Sequence, residues 1–194
     1  MSDLTRQTRP GKRERLVTSA AQLVHRQGID RTTLAQVAEA ADVPLGNVYY
    51  YFKTREDLLR AVVEARAKEV RDLLSSLDAR ATPQARLRGL TQNWTSAAEE
   101  VAAFGCPIGG LTSELTKQDG DLSDDSPRLL REIVDWAAKQ YRELGYRDAA
   151  SRAESLVAHV QGAALLTRAF RDPHLLKREV RRVGRDIPGP VGQP

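Results

Sequence analysis

Four prolines that directly follow a potential capping residue constrain the fold of this 194-residue chain more than any other feature. The pairs are Thr82-Pro83, Cys106-Pro107, Ser126-Pro127 and Asp172-Pro173. A side chain that accepts a hydrogen bond suits the N-cap of a helix, and proline suits the first helical position because its missing N–H needs no partner there. Between these points apolar residues recur at intervals of three and four, and strand patterns are nearly absent. The sequence therefore predicts an all-α fold.

The same signals predict nine helices. Their expected ranges are 12–27, 34–40, 44–51, 55–79, 83–103, 107–118, 127–145, 148–171 and 173–184. The four-residue segments that begin at Thr33 and Thr54 have the pattern of capping boxes, with a side-chain acceptor at each end. The acidic segment 119–125 is expected to be a mobile loop, and the segment after the last helix is too rich in Gly and Pro to be helical.

Charge is unevenly distributed along the chain, whose formal net charge is +4. Residues 1–60 hold ten Lys or Arg and seven Asp or Glu, whereas residues 61–170 hold fourteen and sixteen. A basic N-terminal segment followed by a slightly acidic region is typical of a protein whose N-terminal domain binds nucleic acid. The sequence shows no transmembrane stretch and no signal peptide, and its single cysteine excludes an intrachain disulfide. We therefore expect a cytoplasmic protein that does not bind membranes.

Residues 12–52 have the pattern of short helices joined by tight turns. The turn at Ala41-Asp42-Val43 needs a residue that tolerates a positive φ, which Asp does. In the helix that follows, Val48 and Phe52 are expected to point inward. The residues left on its exposed sides are Leu45, Gly46, Asn47, Tyr49, Tyr50 and Lys53.

Adjacent tyrosines and a glycine are unusual on a helix that meets only water. A helix against DNA uses them, because Gly46 permits close backbone approach and tyrosine hydroxyls bond phosphates or base edges. The alternative is a small helical cap with a tyrosine-rich contact surface.

The run from Thr32 to Leu59, TTLAQVAEAADVPLGNVYYYFKTREDLL, resembles the DNA-binding signature of the TetR family of bacterial transcriptional regulators. Its YYYFKTREDLL part is the most specific portion. The run departs from the family pattern at Asp42, where Gly is usual, and at Leu45 and Arg55, where Lys is common. Without a cation at Leu45, weaker phosphate contacts are expected there.

The resemblance implies a one-component repressor that binds double-stranded operator DNA as a homodimer and releases it when a small-molecule effector binds. The implied phosphate contacts are Thr32, Thr33, Tyr50 and Lys53, and the implied groove-facing residues are Leu45, Gly46, Asn47 and Tyr49. A basic arm and the start of the first helix are expected to reach flanking phosphates or the minor groove. Their basic residues are Arg6, Arg9, Lys12 and Arg13.

The implied architecture is a helix-turn-helix DNA-binding domain of three helices and a C-terminal helical regulatory and dimerisation domain. The expected boundaries are a basic flexible arm over 1–11, the DNA-binding domain over 12–54, the ligand-sensing and dimerisation domain over 55–184, and a disordered tail over 185–194. The last two helices would form a four-helix dimer interface. A stripe of small residues on the first of them suits close packing and comprises Leu156, Val160, Ala163, Ala164 and Thr167; intrachain core is the alternative.

An effector cavity is expected among the middle helices of the second domain. The candidate ligand-binding residues are Trp94, Phe104, Cys106, Ile108, Leu111, Trp136 and Tyr141, and ordinary core packing is the alternative for each. The segment FGCPIGGLTSEL resembles a Gly-Cys-Pro-x-Gly-x-Leu motif of a TetR subgroup that often responds to drug-like, aromatic or electrophilic compounds. Cys106 is either a reactive thiol at a helix N-terminus or an inert buried cap. We expect an apolar or aromatic effector.

An enzyme and a helical adaptor that binds only protein are the alternatives from other classes. The sequence has no metal-ligand cluster, nucleophile motif or phosphate-binding glycine loop, and its histidines, His25, His159 and His174, are isolated. An adaptor would not need the basic head. We therefore expect no catalytic residue, no metal and no cofactor.

Overall fold

The computed structural model describes residues 10–118, 120–189 and 191, and within these ranges helices are joined by turns and loops, with no strand. The helices are α1 (Lys12–Gln27), α2 (Leu34–Ala40), α3 (Leu45–Tyr51), α4 (Arg55–Asp78), α5 (Pro83–Ser96), α6 (Ala98–Phe104), α7 (Pro107–Leu115), α8 (Asp121–Asp125), α9 (Arg128–Glu143), α10 (Ala149–Phe170) and α11 (Pro173–Arg185). The all-α prediction is confirmed. None of the described helices has the length and hydropathy that a membrane span requires.

Three of the four predicted capping residues begin helices by accepting a backbone N–H: Thr82 from Ala85 at 3.1 Å, Cys106 from Gly109 at 3.3 Å and Asp172 from His174 at 2.9 Å. The fourth prediction is wrong. Ser126 lies at the end of α8, where its hydroxyl donates to the Ser123 carbonyl at 3.3 Å. Pro127 takes the N-cap position of α9 with φ −61° and ψ −21°.

Two differences from the predicted helices exceed a shift of three residues at an end. The predicted helix over 83–103 is broken at Ala97, which ends α5 and precedes α6. Neither Gly nor Pro lies at this break, so the local sequence does not predict it. The acidic segment expected to be a loop contains α8, whose Leu122 is buried. Burial of one leucine lets a short, strongly acidic segment form a helical turn.

The predicted disordered tail is packed over the described residues 185–189 and 191. Ile187 is buried, and its carbonyl accepts from the Gln84 amide at 3.1 Å. The Gly189 carbonyl accepts from the Tyr146 hydroxyl at 3.0 Å, and the Val191 N–H donates to the Leu144 carbonyl at 2.8 Å. The prediction is wrong for this part of the tail because one apolar side chain and three hydrogen bonds offset the cost of ordering the segment.

The chain divides into two compact units, residues 1–65 and 66–194, so the boundary falls within α4. The N-terminal unit contains α1, α2, α3 and the first part of α4 around a core that includes Leu16, Ile29, Val37, Val48 and Phe52. Residues 1–9, most of the predicted arm, lie outside the described residues. In the C-terminal unit α10 packs against α6, α9 and α11, and α11 also packs against α5.

The small-residue stripe predicted for the dimer interface is intrachain core. All five of its residues are buried within the single chain, with Thr167 fully enclosed. Elsewhere on its surface α10 exposes large apolar side chains: Leu165 is 70% exposed, Leu166 46% and Phe170 66%. Helical periodicity correctly predicted that this face of α10 is covered. The residues that cover it belong to the same chain and not to a second copy.

Candidate nucleic-acid interface and effector cavity

The start of α2 is fixed by the predicted capping box. The Gln36 N–H donates to Thr33 Oγ1 at 3.2 Å, and the Thr33 N–H donates to Gln36 Oε1 at 3.0 Å. The Gln27 amide, at the end of α1, also donates to Gln36 Oε1 at 3.2 Å. These bonds satisfy N–H groups that a helix start otherwise leaves unpaired, and they link α2 to α1.

The turn between α2 and α3 has the predicted backbone conformation. Asp42 has φ +51°, a left-handed conformation that non-glycine residues other than Asn and Asp seldom adopt. The Arg15 guanidinium, from α1, donates to the Ala41 carbonyl at 2.8 Å and approaches Asp42 Oδ2 at 3.3 Å. Arg15 is not predicted from the sequence, because nothing local connects a residue of the first helix with a turn 26 residues later.

The outward face of α3 carries most of the predicted groove-facing residues. Leu45 is 43% exposed and Tyr49 50%, while Asn47 is half-buried. A Cβ atom added at Gly46 would meet nothing within 4 Å, so packing inside the chain does not require glycine there. Val48, which is fully buried, holds the opposite side of this seven-residue helix.

The end of α3 places a cation beside an exposed tyrosine. Tyr50 is 76% exposed, and its ring meets the Tyr51 ring edge-on at 5.0 Å between centroids. The exposed Lys53 donates from Nζ to the Tyr49 carbonyl at 3.1 Å. The second predicted capping box then starts α4, since Thr54 and Asp57 exchange two 3.0 Å hydrogen bonds.

The two threonines predicted to contact phosphate differ in exposure. Thr33 is exposed, whereas Thr32 is buried and its hydroxyl donates to the Gly28 carbonyl at 2.8 Å. The Thr32 side chain therefore stabilises the turn after α1 and is not presented to a ligand. Lys12 and Arg13 are exposed at the start of α1, and the remaining basic-arm candidates, Arg6 and Arg9, lie outside the described residues.

The C-terminal unit contains a cavity of about 420 Å³ that residues of α7, α9 and α10 line together with the end of α6. Of the seven predicted ligand-binding residues, Phe104 and Cys106 line it. Cys106 is partly exposed, and its Sγ accepts from the Gly109 N–H and lies 3.6 Å from the Gln161 amide nitrogen. Leu130 and Arg168 also line the cavity, and no sequence signal connects these residues because they lie on separate helices.

The other predicted ligand-binding residues do not line this cavity: Trp94, Ile108, Leu111, Trp136 and Tyr141. Trp136 is buried in the core and its indole N–H donates to Asp78 at 3.0 Å. Tyr141 lines a separate cavity of about 400 Å³ together with Arg152 and His159. Burial raises the pKa of the Tyr141 hydroxyl, which keeps that group neutral. Among the described residues no cluster of His, Cys, Asp and Glu could hold a metal ion.

Comparison with known proteins gives the following similarities. The sequence model of the bacterial regulatory proteins of the tetR family matches residues 16–62. An uncharacterized HTH-type transcriptional regulator in the lacX 3′ region of Lactococcus lactis subsp. lactis is 24% identical over 85% of this chain and 87% of that protein. The crystal structure of a TetR transcriptional regulator from Legionella pneumophila matches with a TM-score of 0.84 at 18% identity, covering 94% of this chain and 100% of that one. The regulatory protein TetR from Rhodobacter sphaeroides matches with a TM-score of 0.77 at 25% identity, covering 89% and 96%.

Proposed function

We propose that this chain, a TetR-type DNA-binding transcriptional regulator, is a repressor that binds a pseudo-palindromic operator as a homodimer and releases it when a small apolar or aromatic effector binds. The matching family and relatives are transcriptional regulators, so the chain is not an enzyme. The observation that carries the proposal is α3, a short helix packed on one side by Val48 and exposing Leu45, Tyr49 and Tyr50 on the other.

In the proposed complex α3 lies in the major groove, as the second helix of a helix-turn-helix does. Gly46 allows its backbone to approach the DNA closely. The Asn47 amide suits the N6 and N7 edge of adenine, and Leu45 suits the methyl group of thymine. Tyr50 and Lys53 would contact phosphates, which set the position of the helix without reading sequence.

The second part of the proposal is a homodimer formed through α10. The side chains of its exposed Leu165 and Leu166 carry no polar group, and exposed apolar surface on a protein commonly marks an interaction site. The small exposed residues Ala158 and Gly162 lie along the same helix and permit close approach of a second helix. A two-fold contact of this face with its copy would present two α3 helices to a pseudo-palindrome.

The third part is an effector bound in the 420 Å³ cavity. Phe104, Leu130 and Ala164 supply apolar walls, and Cys106 and Gln161 supply the polar groups that orient a ligand. An effector releases DNA only if it binds the released state more tightly than the DNA-bound state. The proposed effector therefore contacts Phe104 and Cys106, which line this cavity, and neither Trp94 nor Trp136.

A gel shift with duplex DNA that flanks the gene tests operator binding. We expect a dimer-sized complex whose log K falls with log salt at a slope of about −0.9 per neutralised phosphate. A scrambled duplex of the same length is the control and should bind at least tenfold more weakly. Absence of any duplex binding at low salt would contradict the proposal.

The effector cavity is tested through Cys106, the only thiol of the chain. N-ethylmaleimide should label it, and an aromatic compound that releases the duplex should slow this labelling at the same concentration. The variant Cys106→Ser should keep its release by the compound if sensing is non-covalent. A compound that releases DNA without protecting Cys106 would place the effector outside this cavity.

A further inference from the structure

A third cavity, of about 370 Å³, lies between α5 and α11 in the C-terminal unit. We infer that it binds a small organic phosphate, a phosphate monoester or diphosphate with a compact organic group. The cavity is lined by three arginines, Arg88, Arg181 and Arg185, and by Thr91, Gln92 and Thr95.

Close packing of α5 against α11 brings these arginines to one place. A Cβ atom added at Gly184 would lie 2.9 Å from Thr91 Oγ1, so the two helices approach closely beside the cavity. Arg181 and Arg185 are one helical turn apart on α11, on either side of Gly184 in the sequence. Arg88 precedes Thr91 by three residues, so it lies on the same side of α5. Two helices therefore contribute cations to a single cavity.

The three guanidinium groups have no counter-charge among the described residues. No carboxylate lines the cavity, and none of the three guanidiniums has a hydrogen bond or ion pair within the described part of the chain. Other cations of α11 do have partners: Lys177 binds Glu99 at 2.7 Å, Arg178 approaches Asp172 to 3.8 Å, and Arg182 binds Glu179 at 2.7 Å. All three arginines are exposed, so water screens much of their mutual repulsion, and a bound anion would neutralise their charge directly.

The donors and the charge favour a phosphoryl group over a carboxylate. A phosphate ester carries close to two negative charges and three acceptor oxygens, which match several arginine forks at once. A carboxylate carries one charge and would leave most of the cluster uncompensated. Gln92 Oε1 accepts from Arg80 at 3.3 Å, and its amide nitrogen makes no hydrogen bond to any described residue, so it can donate to the ligand.

The remaining walls suit an organic group. The hydroxyl of Thr91 donates to the Arg88 carbonyl at 2.8 Å and that of Thr95 to the Thr91 carbonyl at 3.1 Å. Both hydroxyl protons are therefore used within α5. The methyl groups and the aliphatic stems of the arginines offer apolar surface. The volume lies in the range of small-molecule sites, which favours a small phosphate over a polynucleotide.

Titration calorimetry of the full chain with phenyl phosphate, and with benzoate as the singly charged analogue, tests the inference. We expect phenyl phosphate to bind at least tenfold more tightly than benzoate. Arg181→Gln and Arg88→Gln should each lower the affinity for phenyl phosphate at least tenfold. Arg178→Gln is the matched control, because it removes an arginine of the same helix that does not line the cavity, and it should leave the affinity unchanged.

Three results would overturn the inference. The first is equal binding of phenyl phosphate by the wild type and Arg181→Gln, or no binding at all. The second is a loss of dimer in Arg181→Gln with unchanged phosphate affinity, which would assign these arginines to a protein contact. The third is weaker duplex binding by Arg181→Gln without phenyl phosphate binding, which would assign them to DNA. Because the calorimetry uses no operator, its failure leaves the proposed repressor function untouched.

Discussion

Helices α3 and α10 both expose large side chains, but the chemistry of the two faces differs. The α3 face combines Tyr49 and Tyr50, each with a hydroxyl, with a glycine that leaves open space. The α10 face presents Leu165 and Leu166, whose side chains have no polar atom. A phenol gains from contact with a polar, charged surface and a hydrocarbon gains only by leaving water. This chemical difference is why nucleic acid is the proposed partner of the α3 face and a second copy of the chain the proposed partner of the α10 face.

The largest effects are expected from replacing one exposed leucine on each helix with aspartate. These two variants test whether the two faces have different partners. Leu165→Asp should weaken the dimer by about 2–4 kcal/mol, because it buries a charge at the centre of the proposed interface. Leu45→Asp should leave the dimer intact and weaken operator binding by like-charge repulsion with phosphate. Sedimentation equilibrium measures the first effect and a gel shift the second. If Leu165→Asp dimerises like the wild type, α10 is not the interface.

Substitutions in the α3 face should distinguish residues that contact bases from residues that contact phosphates, because only the former should discriminate between operator and unrelated duplex. Asn47→Ala and Tyr49→Ala should each cost about 1–3 kcal/mol on the operator and little on unrelated duplex. Lys53→Ala should weaken both duplexes equally and reduce the salt slope by about 1. Fluorescence anisotropy on the two duplexes at several salt concentrations measures all three. Unchanged binding by Lys53→Ala would remove that lysine from the interface.

The features predicted correctly from the sequence are those determined within a few residues. The capping box at Thr33, the turn at Asp42 and the helix starts after Thr82 and Asp172 each depend on contacts between near neighbours. The outward face of α3 follows from helical periodicity alone. Its exposed groups were therefore identified from the sequence, although their contacts with DNA stay a prediction.

The features that were missed depend on which elements meet in the folded chain. Burial of Ile187 requires that the tail return to the C-terminal unit, and the role of Arg15 requires that α1 pack against a distant turn. The cavity beside Cys106 combines residues of separate helices, including Leu130 and Gln161. An apolar stripe indicates that a face is covered, but not whether the same chain or a second copy covers it.

A substitution in the turn before α3 should have a smaller effect, on the stability of the N-terminal unit. Asp42→Ala should destabilise the chain by about 1–2 kcal/mol, because alanine pays the cost of a left-handed backbone and loses the contact with Arg15. Asp42→Gly loses the same contact but adopts the positive φ freely, so its stability should lie close to that of the wild type. Urea denaturation measures both variants. Equal destabilisation by Ala and Gly would show that the contact with Arg15, and not the backbone conformation, determines the choice of Asp.

The smallest expected effect concerns Glu179 of α11, whose carboxylate binds Arg182 of the same helix and contacts His159 of α10. A hydrogen bond from Arg182 at 2.7 Å, and a second contact from His159 at 3.1 Å, hold the pKa of Glu179 below its ordinary value of 4.5. A carboxyl whose pKa is lower in the folded state stabilises the fold above its unfolded pKa and loses that contribution as the pH falls through the folded pKa.

Glu179→Gln should therefore reduce the free energy of unfolding at pH 7 by less than about 1 kcal/mol, as for other partly exposed ion pairs. The difference from the wild type should shrink as the pH falls below 4.5 and should also shrink in high salt. Glu154→Gln is the control, because Glu154 is exposed on α10 and has no ion pair within the described ranges. Denaturant titrations at pH 7 and pH 3.5 compare the two variants. A Glu179→Gln deficit that persists unchanged at pH 3.5 would mean that packing of the Glu179 side chain, and not its charge, stabilises the fold.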